Sequence, residues 1–335
     1  MMVKAKVFIY NKEFDGLPKE GDLIIKEEDL PPLKDGEYLA EAVYLSVDPY
    51  MRAYAPSIPL GSVYIGSQIA KILESKNSDY PVGRYVVGYF GWRSHTVHDG
   101  RTPEAPANFP APFLIPDLGD VPLSYFLSIL GMPGNTAYFG FLEICQPKKG
   151  ETVVVSGAAG AVGNIVGQIA KIKGCKVIGI AGSEEKGKWL VDELGFDHFI
   201  NYKTDDLDET LSQVAPKGVD CYFDNVGGET TATVIQHMNE YGRISLCGSV
   251  SSYNKKDRSV RIPLFLLVAK QIKAEGFLFY RWVDRSLEGV QQNLKWLQEG
   301  KLKYRETVTE GFGNTFKAFV EMLEGKNVGK AVVKV

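Results

Sequence analysis

Between residues 150 and 282 the chain alternates between two hydrophobic periods. Short apolar, β-branched runs at Thr152–Ser156, Lys176–Ala181, His198–Tyr202, Asp220–Asn225, Arg243–Gly248 and Ala274–Phe279 predict strands. Helical spacing at Gly160–Lys173, Glu184–Leu194, Leu207–Val214 and Glu229–Met238 predicts helices between them. Strands and helices in turn, with short connections, predict a doubly wound parallel sheet in an α/β protein. Upstream, Lys4–Tyr10, Leu23–Glu27, Glu37–Val47, Gln68–Ser75 and Arg84–Tyr89 read as strands with Gly and Pro turns and no interleaved helix, hence a separate β-rich domain. Six prolines between Pro103 and Pro122 mark a loop or linker. The last residues read strand, helix, strand at Arg305–Gly311, Thr315–Glu324 and Lys330–Val335. Periodicity leaves open whether they complete the parallel sheet or return to the first domain.

The most informative local pattern follows the first of the parallel strands. After Val153, Val154 and Val155 come Gly157, Gly160 and Gly163, and then Val162, Ile165, Val166 and Ile169 at helical spacing. Strand, glycine turn and helix is the context of a dinucleotide site. Small residues let the backbone approach a pyrophosphate, and the helix N-terminus offers N–H groups and a positive dipole end. The pattern is Ala158-x-Gly160-x-x-Gly163, with alanine at the usual first glycine. Gly157, Ala159, Gly160, Ala161 and Val162 are the candidate pyrophosphate turn. An NAD site carries Asp or Glu at the tip of the second strand. Here the tip is Gly182-Ser183, followed by Glu184, Glu185 and Lys186. Ser183 and Lys186 suit the 2′-phosphate of NADP(H), although Ser183 equally suits a helix N-cap. Glu184 and Glu185 would repel a phosphate if they faced it.

Composition narrows the class. The 335 residues are 44% hydrophobic and 24% charged, with a formal net charge of −3, which favours neither nucleic acid nor an anionic membrane. No apolar run has the length of a membrane span, and Met1–Val7 lacks the apolar core of a secretory leader. A cytoplasmic location is expected. Cys145, Cys175, Cys221 and Cys247 form no C-x-x-C pair and read as reduced core thiols. The four histidines show no ligand spacing, so no metal site is expected.

Several ordered strings together resemble one family. They are Asp48-Pro-Tyr-Met-Arg52, Gly131-Met-Pro-Gly-Asn-Thr-Ala-Tyr138, Ser156-Gly-Ala-Ala-Gly-Ala-Val-Gly163, Asn201-Tyr-Lys-Thr204, Phe223-Asp-Asn-Val-Gly-Gly228, Tyr253-Asn254, Tyr280-Arg-Trp282 and Gly325-Lys-Asn-Val-Gly-Lys330. The chain resembles the zinc-independent medium-chain dehydrogenases/reductases, and among them the prostaglandin reductase (leukotriene 12-hydroxydehydrogenase) and 2-alkenal reductase subfamily. The proline-rich stretch departs most from that pattern. The resemblance implies a GroES-like catalytic domain from residues 1–128 and 306–335, around an NADP(H)-binding Rossmann domain at 129–305. It also implies a homodimer. Gly66-Ser67-Gln68 stands where zinc-using relatives carry Gly-His-Glu, so metal-free chemistry is expected.

The implied activity is NADPH-dependent reduction of the carbon–carbon double bond of α,β-unsaturated ketones or aldehydes. By this resemblance Ser183, Lys186 and Tyr202 hold the 2′-phosphate. Asn225, Cys247, Gly248, Ser249 and Tyr253 meet the cofactor at successive strand ends, and Phe277, Leu278 and Phe279 cradle the nicotinamide carboxamide. Asn327 bonds the cofactor from the C-terminal segment. Tyr253 and Tyr50 are the candidate catalytic residues. Tyr253 would stabilise an enolate oxygen, and Tyr50, Arg52, Met132 and Tyr253 would contact substrate. A quinone reductase, or an NADPH-binding protein without turnover, are the competing readings.

Overall fold

The computed structural model describes residues 3–101 and 110–335. Much of the proline-rich stretch therefore lies outside the described residues. The chain divides into two compact units, Met1–Leu127 with Glu306–Val335, and Ser128–Arg305.

The second unit is built on a six-stranded parallel sheet. In space the strands run His198–Asn201, Lys176–Ala181, Thr152–Ser156, Val219–Asp224, Met238–Leu246, Lys273–Gly276. The order of strand succession reverses at Thr152–Ser156, which pairs in parallel with both Lys176–Ala181 and Val219–Asp224. Open α/β sheets bind ligands at such a switch point, outside the strands' carboxyl ends. Val153, Val154 and Val155 are wholly buried, as a central parallel strand requires.

Several boundaries differ from the sequence expectations. The glycine-turn helix is Gly163–Ile172 and starts three residues late, because the chain is still turning before it: Gly160 N donates to Gly157 O within the turn, and Ala158 N donates across to Ile180 O of the neighbouring strand. The helix after Ser183 is α-helical over Glu184–Lys188 and continues as a wider π turn over Trp189–Glu193. The fifth strand starts earlier, at Met238, and ends at Leu246. The sixth ends at Gly276, so Phe277–Phe279 leave the sheet. The helices Tyr50–Tyr54, Met132–Phe139, Leu264–Ala269 and Ser286–Gln298 were not foreseen. Three of the four cysteines are buried, but Cys247 is only half-buried, just beyond its strand.

The first unit carries the β-rich sheet. Its strands run Glu306–Glu310, Lys330–Lys334, Tyr38–Ser46, Gln68–Ser75, Tyr85–Gly88, Phe113–Leu114, with His95–His98 also on Tyr38–Ser46. The C-terminal strand pairs antiparallel with Tyr38–Ser46, placing Val333 opposite Leu45. The chain end therefore returns to the first domain. An aromatic core of Phe8, Tyr64, Trp92, Phe312 and Phe319 fills the space beneath.

A buried ion pair joins the two ends of the chain. Lys330, 1% exposed, lies 3.2 Å from the Asp48 carboxylate and donates to the Val47 and Ala331 carbonyls at 2.6 and 2.7 Å. Ser46 donates to the other Asp48 oxygen. Desolvation holds the Lys330 pKa below the ordinary lysine value, against the pull of Asp48. A buried ion is tolerated only when paired and fully hydrogen-bonded, so this pair fixes how the last strand enters the sheet. Lys330→Met should destabilise this unit by about 3–5 kcal/mol in urea unfolding, by stranding Asp48. Combining it with Asp48→Asn should recover most of the loss, and an equal or larger loss in the double variant would contradict this account.

Candidate functional site

Three strand ends in the second unit carry most of the expected cofactor residues. At the first, Ser156 ends its strand and Gly157 takes φ +59°. A Cβ on Gly163 would strike the Gly157 carbonyl oxygen and lie 2.8 Å from the Ala158 Cα, so only glycine lets the helix start so close to the turn. Ala159, Gly160, Ala161 and Val162 span from the turn to the ten-residue helix. This is the bare backbone cradle and free helix N-terminus that a pyrophosphate needs.

At the neighbouring strand end, Ser183 caps the following helix, accepting from Lys186 N at 3.4 Å. The capping role is thus present. Tyr202 lies with its ring against Gly182, where a Cβ would come within 2.8 Å of the ring. Of the two carboxylates that could oppose a phosphate, Glu184 accepts from the Asn201 amide at 2.8 Å, and the exposed Glu185 lies 3.7 Å from Arg305 and also favours the charge on Lys186. Lys186 and Lys203 are close enough to interact. Desolvation first, and then the Lys203 charge, hold the Lys186 pKa below the ordinary lysine value. Lys203 also sits 6.0 Å over the Tyr202 ring. Two like charges side by side at a carboxylate-poor strand tip suit a dianionic phosphate. Lys203 lay within a resemblance string, but no role was read from it.

The third strand end is organised by Asp224, a residue that sequence reasoning passed over in favour of its neighbour. Asp224 is 1% exposed. Its Oδ1 accepts from Ser156 Oγ at 2.9 Å, the Tyr222 hydroxyl at 2.8 Å, and the Val226 and Gly227 N–H groups at 2.9 Å each. Its Oδ2 accepts from Thr231 at 2.5 Å. Asn225 Nδ2 donates to the Ser156 carbonyl at 2.7 Å, tying this end to the glycine turn. The signal was available: a carboxylate ending an apolar buried strand must find donors.

One strand further on, Cys247 N and Gly248 N both donate to the Asp224 carbonyl, at 2.8 and 3.1 Å. Desolvation by packed neighbours, and then the Asp224 charge, push the Cys247 thiol up to about 12, so it stays protonated. Ser249 N donates to the Tyr253 hydroxyl oxygen at 3.2 Å. That bond holds a half-buried phenol at the strand's carboxyl end. A phenol oxygen that accepts from a backbone N–H becomes a better proton donor.

The remaining candidates are placed as follows. Met132 opens its helix, and its carbonyl accepts from Thr136 at 2.7 Å. Phe277 turns its ring inward, 6.2 Å from Phe223 and 5.5 Å from Trp282. Leu278 is exposed, and the Phe279 ring lies 5.6 Å from Tyr280. Tyr50, Arg52 and Asn327 belong to the other unit. Tyr50 begins the short helix Tyr50–Tyr54 and packs on the aromatic core. Arg52, 5% exposed, donates from Nε and Nη2 to the Gly16 carbonyl and stands 5.4 Å over the Phe14 ring. A guanidinium so enclosed clamps two chain segments and is poorly placed for a substrate carboxylate. Asn327 donates to Gly329 O at 2.7 Å, closing the turn before the last strand. Gln68, buried, donates to the Gly91 carbonyl at 2.8 Å. Among the described residues no group of three or more His, Cys, Asp or Glu is placed to hold a metal, and no helix is long and apolar enough to cross a membrane.

Comparison with known proteins agrees with this geometry. Residues 6–105 match the family model described as the N-terminal domain of oxidoreductase, and residues 161–299 match that described as zinc-binding dehydrogenase. Prostaglandin reductase 1 of Bos taurus is 48% identical over 337 residues, covering 99% of this chain and 100% of the relative. The NADP(+)-dependent 2-alkenal reductase of Nicotiana tabacum is 41% identical over 345 residues, covering 99% and 98%. The crystal structure of CurA from Vibrio vulnificus in complex with NADPH has a TM-score of 0.91 at 37% identity, covering 98% of this chain and 99% of that one. Likeness at this level from end to end means that the chain belongs to the zinc-independent branch of the medium-chain dehydrogenase/reductase family.

Proposed function

We propose that this protein is an NADPH-dependent reductase of the carbon–carbon double bond in α,β-unsaturated ketones and aldehydes, of the prostaglandin reductase and 2-alkenal reductase type. The observation that carries the reading is the Tyr253 hydroxyl, held by Ser249 N–H at the carboxyl end of the sheet, in a chain 48% identical to a prostaglandin reductase. NADPH, when bound, supplies the hydride that goes to the β-carbon. Reduction there moves the π electrons onto the carbonyl oxygen as an enolate. Tyr253 donates a hydrogen bond to that oxygen, where charge develops, and passes on the proton that ends on the α-carbon. The 157–162 turn binds the pyrophosphate, and Ser183, Lys186 and Tyr202, with Lys203, receive the 2′-phosphate. Tyr50 is assigned to the apolar part of the substrate on the resemblance of its string.

We also propose that the enzyme is a cytoplasmic homodimer. Strand Lys273–Gly276 ends the parallel sheet, and no strand among the described residues pairs with its outer edge. The helix Leu264–Ala269 just before it packs Leu266 and Leu267 partly on the core but leaves Leu264, Phe265 and Val268 at 67, 79 and 75% exposure. An open edge next to an exposed apolar helix face is an aggregation hazard unless covered. A second copy related by a two-fold axis would meet the same edge antiparallel and cover both. The four free thiols suit a reducing compartment.

The activity is tested by NADPH oxidation with a medium-chain 2-alkenal or enone, with NADH in parallel and a chelator present. Rapid, NADPH-selective, chelator-resistant loss is expected; turnover of quinones with enones inert would overturn the reading. Tyr253→Phe should lower kcat for enone reduction about 10²-fold with NADPH affinity kept. Lys186→Ala should raise KM for NADPH about tenfold and leave that for NADH nearly unchanged; equal effects on both would remove the 2′-phosphate assignment. Phe265→Asp with Val268→Asp should convert a dimer to a monomer in light scattering. A wild-type monomer would contradict the dimer.

A further inference from the structure

We infer that Asp224 and the Gly227–Gly228 turn are positioning residues that set the Tyr253 hydroxyl. The inference rests on the enone-reductase reading and concerns how its proton donor is held.

The Asp224 carboxylate fixes the turn by accepting from Val226 N and Gly227 N. The Tyr253 segment then docks on that turn almost residue by residue. Cys247 N and Gly248 N donate to Asp224 O, Val250 N to Asn225 O at 3.2 Å, and Ser251 N to Val226 O at 3.1 Å. The amide skipped in this series, Ser249 N, donates to the Tyr253 hydroxyl. The segment closes on itself through Ser252 N to Ser249 O at 2.9 Å and Tyr253 N to Val250 O at 3.3 Å. Residues 247–253 thus have each main-chain N–H committed, and five of those seven bonds run to Asp224–Val226 or to the Tyr253 hydroxyl.

Side-chain packing points the same way. Gly227 and Gly228 take φ +71° and +66°, and the Ser249 and Ser251 hydroxyls lie against them. A Cβ on Gly228 would stand 2.8 Å from Ser251 Oγ, and a Cβ on Gly248 would stand 3.1 Å from the Tyr253 hydroxyl oxygen. Neither turn glycine is placed here as a contact to substrate. Their missing side chains leave room for the segment that carries the phenol. A displacement near 1 Å of a group that must meet a reacting atom can cost about a hundredfold in rate, so this scaffold governs the chemical step through Tyr253.

The test is a set of single-turnover rates of NADPH oxidation by a 2-alkenal. Gly228→Ala should slow hydride transfer about tenfold or more, while the NADPH Kd from fluorescence titration changes less than about twofold. Adding Ser251→Ala removes the opposing hydroxyl and should restore the rate to within about threefold of wild type. The thermal midpoint should stay lowered, because the strained φ remains. In the Tyr253→Phe background Gly228→Ala should slow the reaction no further. Gly248→Ala, at an ordinary φ, is the second variant if the first does not fold, and should show the same non-additivity. Full additivity with Tyr253→Phe, or no rescue by Ser251→Ala, would overturn the inference. An unchanged rate in Tyr253→Phe alone would instead overturn the role given to Tyr253 itself.

Discussion

The site depends on one buried carboxylate. Asp224 has five donors on its two oxygens and almost no contact with water. An ion in that setting costs several kcal/mol unless its hydrogen bonds are all made. That requirement leaves the surrounding backbone with little choice. Ser156 must point across from the central strand, the Val226–Gly227 amides must turn inward, and Thr231 must close from the helix behind. The carboxylate so fixed links the glycine turn to the turn after its own strand. Through its carbonyl it reaches the end of the next strand as well. Three strand ends that would otherwise be independent loops thereby become one surface at the carboxyl edge of the sheet.

We propose that cofactor choice rests on a different balance at the neighbouring strand end. The tip carries glycine and serine where a ribose-binding carboxylate would exclude a 2′-phosphate. Glu184 is engaged by Asn201, and Glu185 lies between Arg305 and Lys186, whose charge it favours. Burial first, and the neighbouring Lys203 charge second, hold the Lys186 pKa below the ordinary lysine value. On the proposed reading a bound dianion relieves both lysines and adds to the selectivity for the 2′-phosphate.

Much of the architecture could be read from residue order. β-branched runs buried on both faces give the parallel strands away, and the helix Leu207–Val214 falls where its spacing puts it, capped by Asp206. The helix Met132–Phe139 is masked in the sequence by Pro133 and Gly134, residue types that disfavour helix interiors. Pro133 sits in the first turn, where its missing N–H costs nothing. The glycine-turn helix is shorter than its spacing suggests, because Ala158 N is bonded to the neighbouring strand and Gly160 N to Gly157 O before the helix begins. The chain-end closure could not be read at all from spacing: Asp48 and Lys330 are ordinary surface residue types in sequence, and only the sheet brings them together. At the site, the glycine turn was legible because its chemistry is local. For Asp224 only the need for donors was legible; their identity was not, because Ser156, Tyr222 and Thr231 come from the strand beside it, its own strand and the following helix. The surroundings of Arg52 could not be read for the converse reason, since a motif arginine says nothing of the carbonyl and ring that enclose it.

The central claim is hydride delivery to the β-carbon of a conjugated carbonyl, with the charge received as an enolate. It is tested most directly by reducing a 2-alkenal in ordinary water with NADPH deuterated at the transferred C4 position, and locating the label by mass spectrometry and NMR. This account predicts a saturated aldehyde with one deuterium on the β-carbon and an α-hydrogen from solvent. Deuterium on the carbonyl carbon of an allylic alcohol, with the double bond intact, would contradict it.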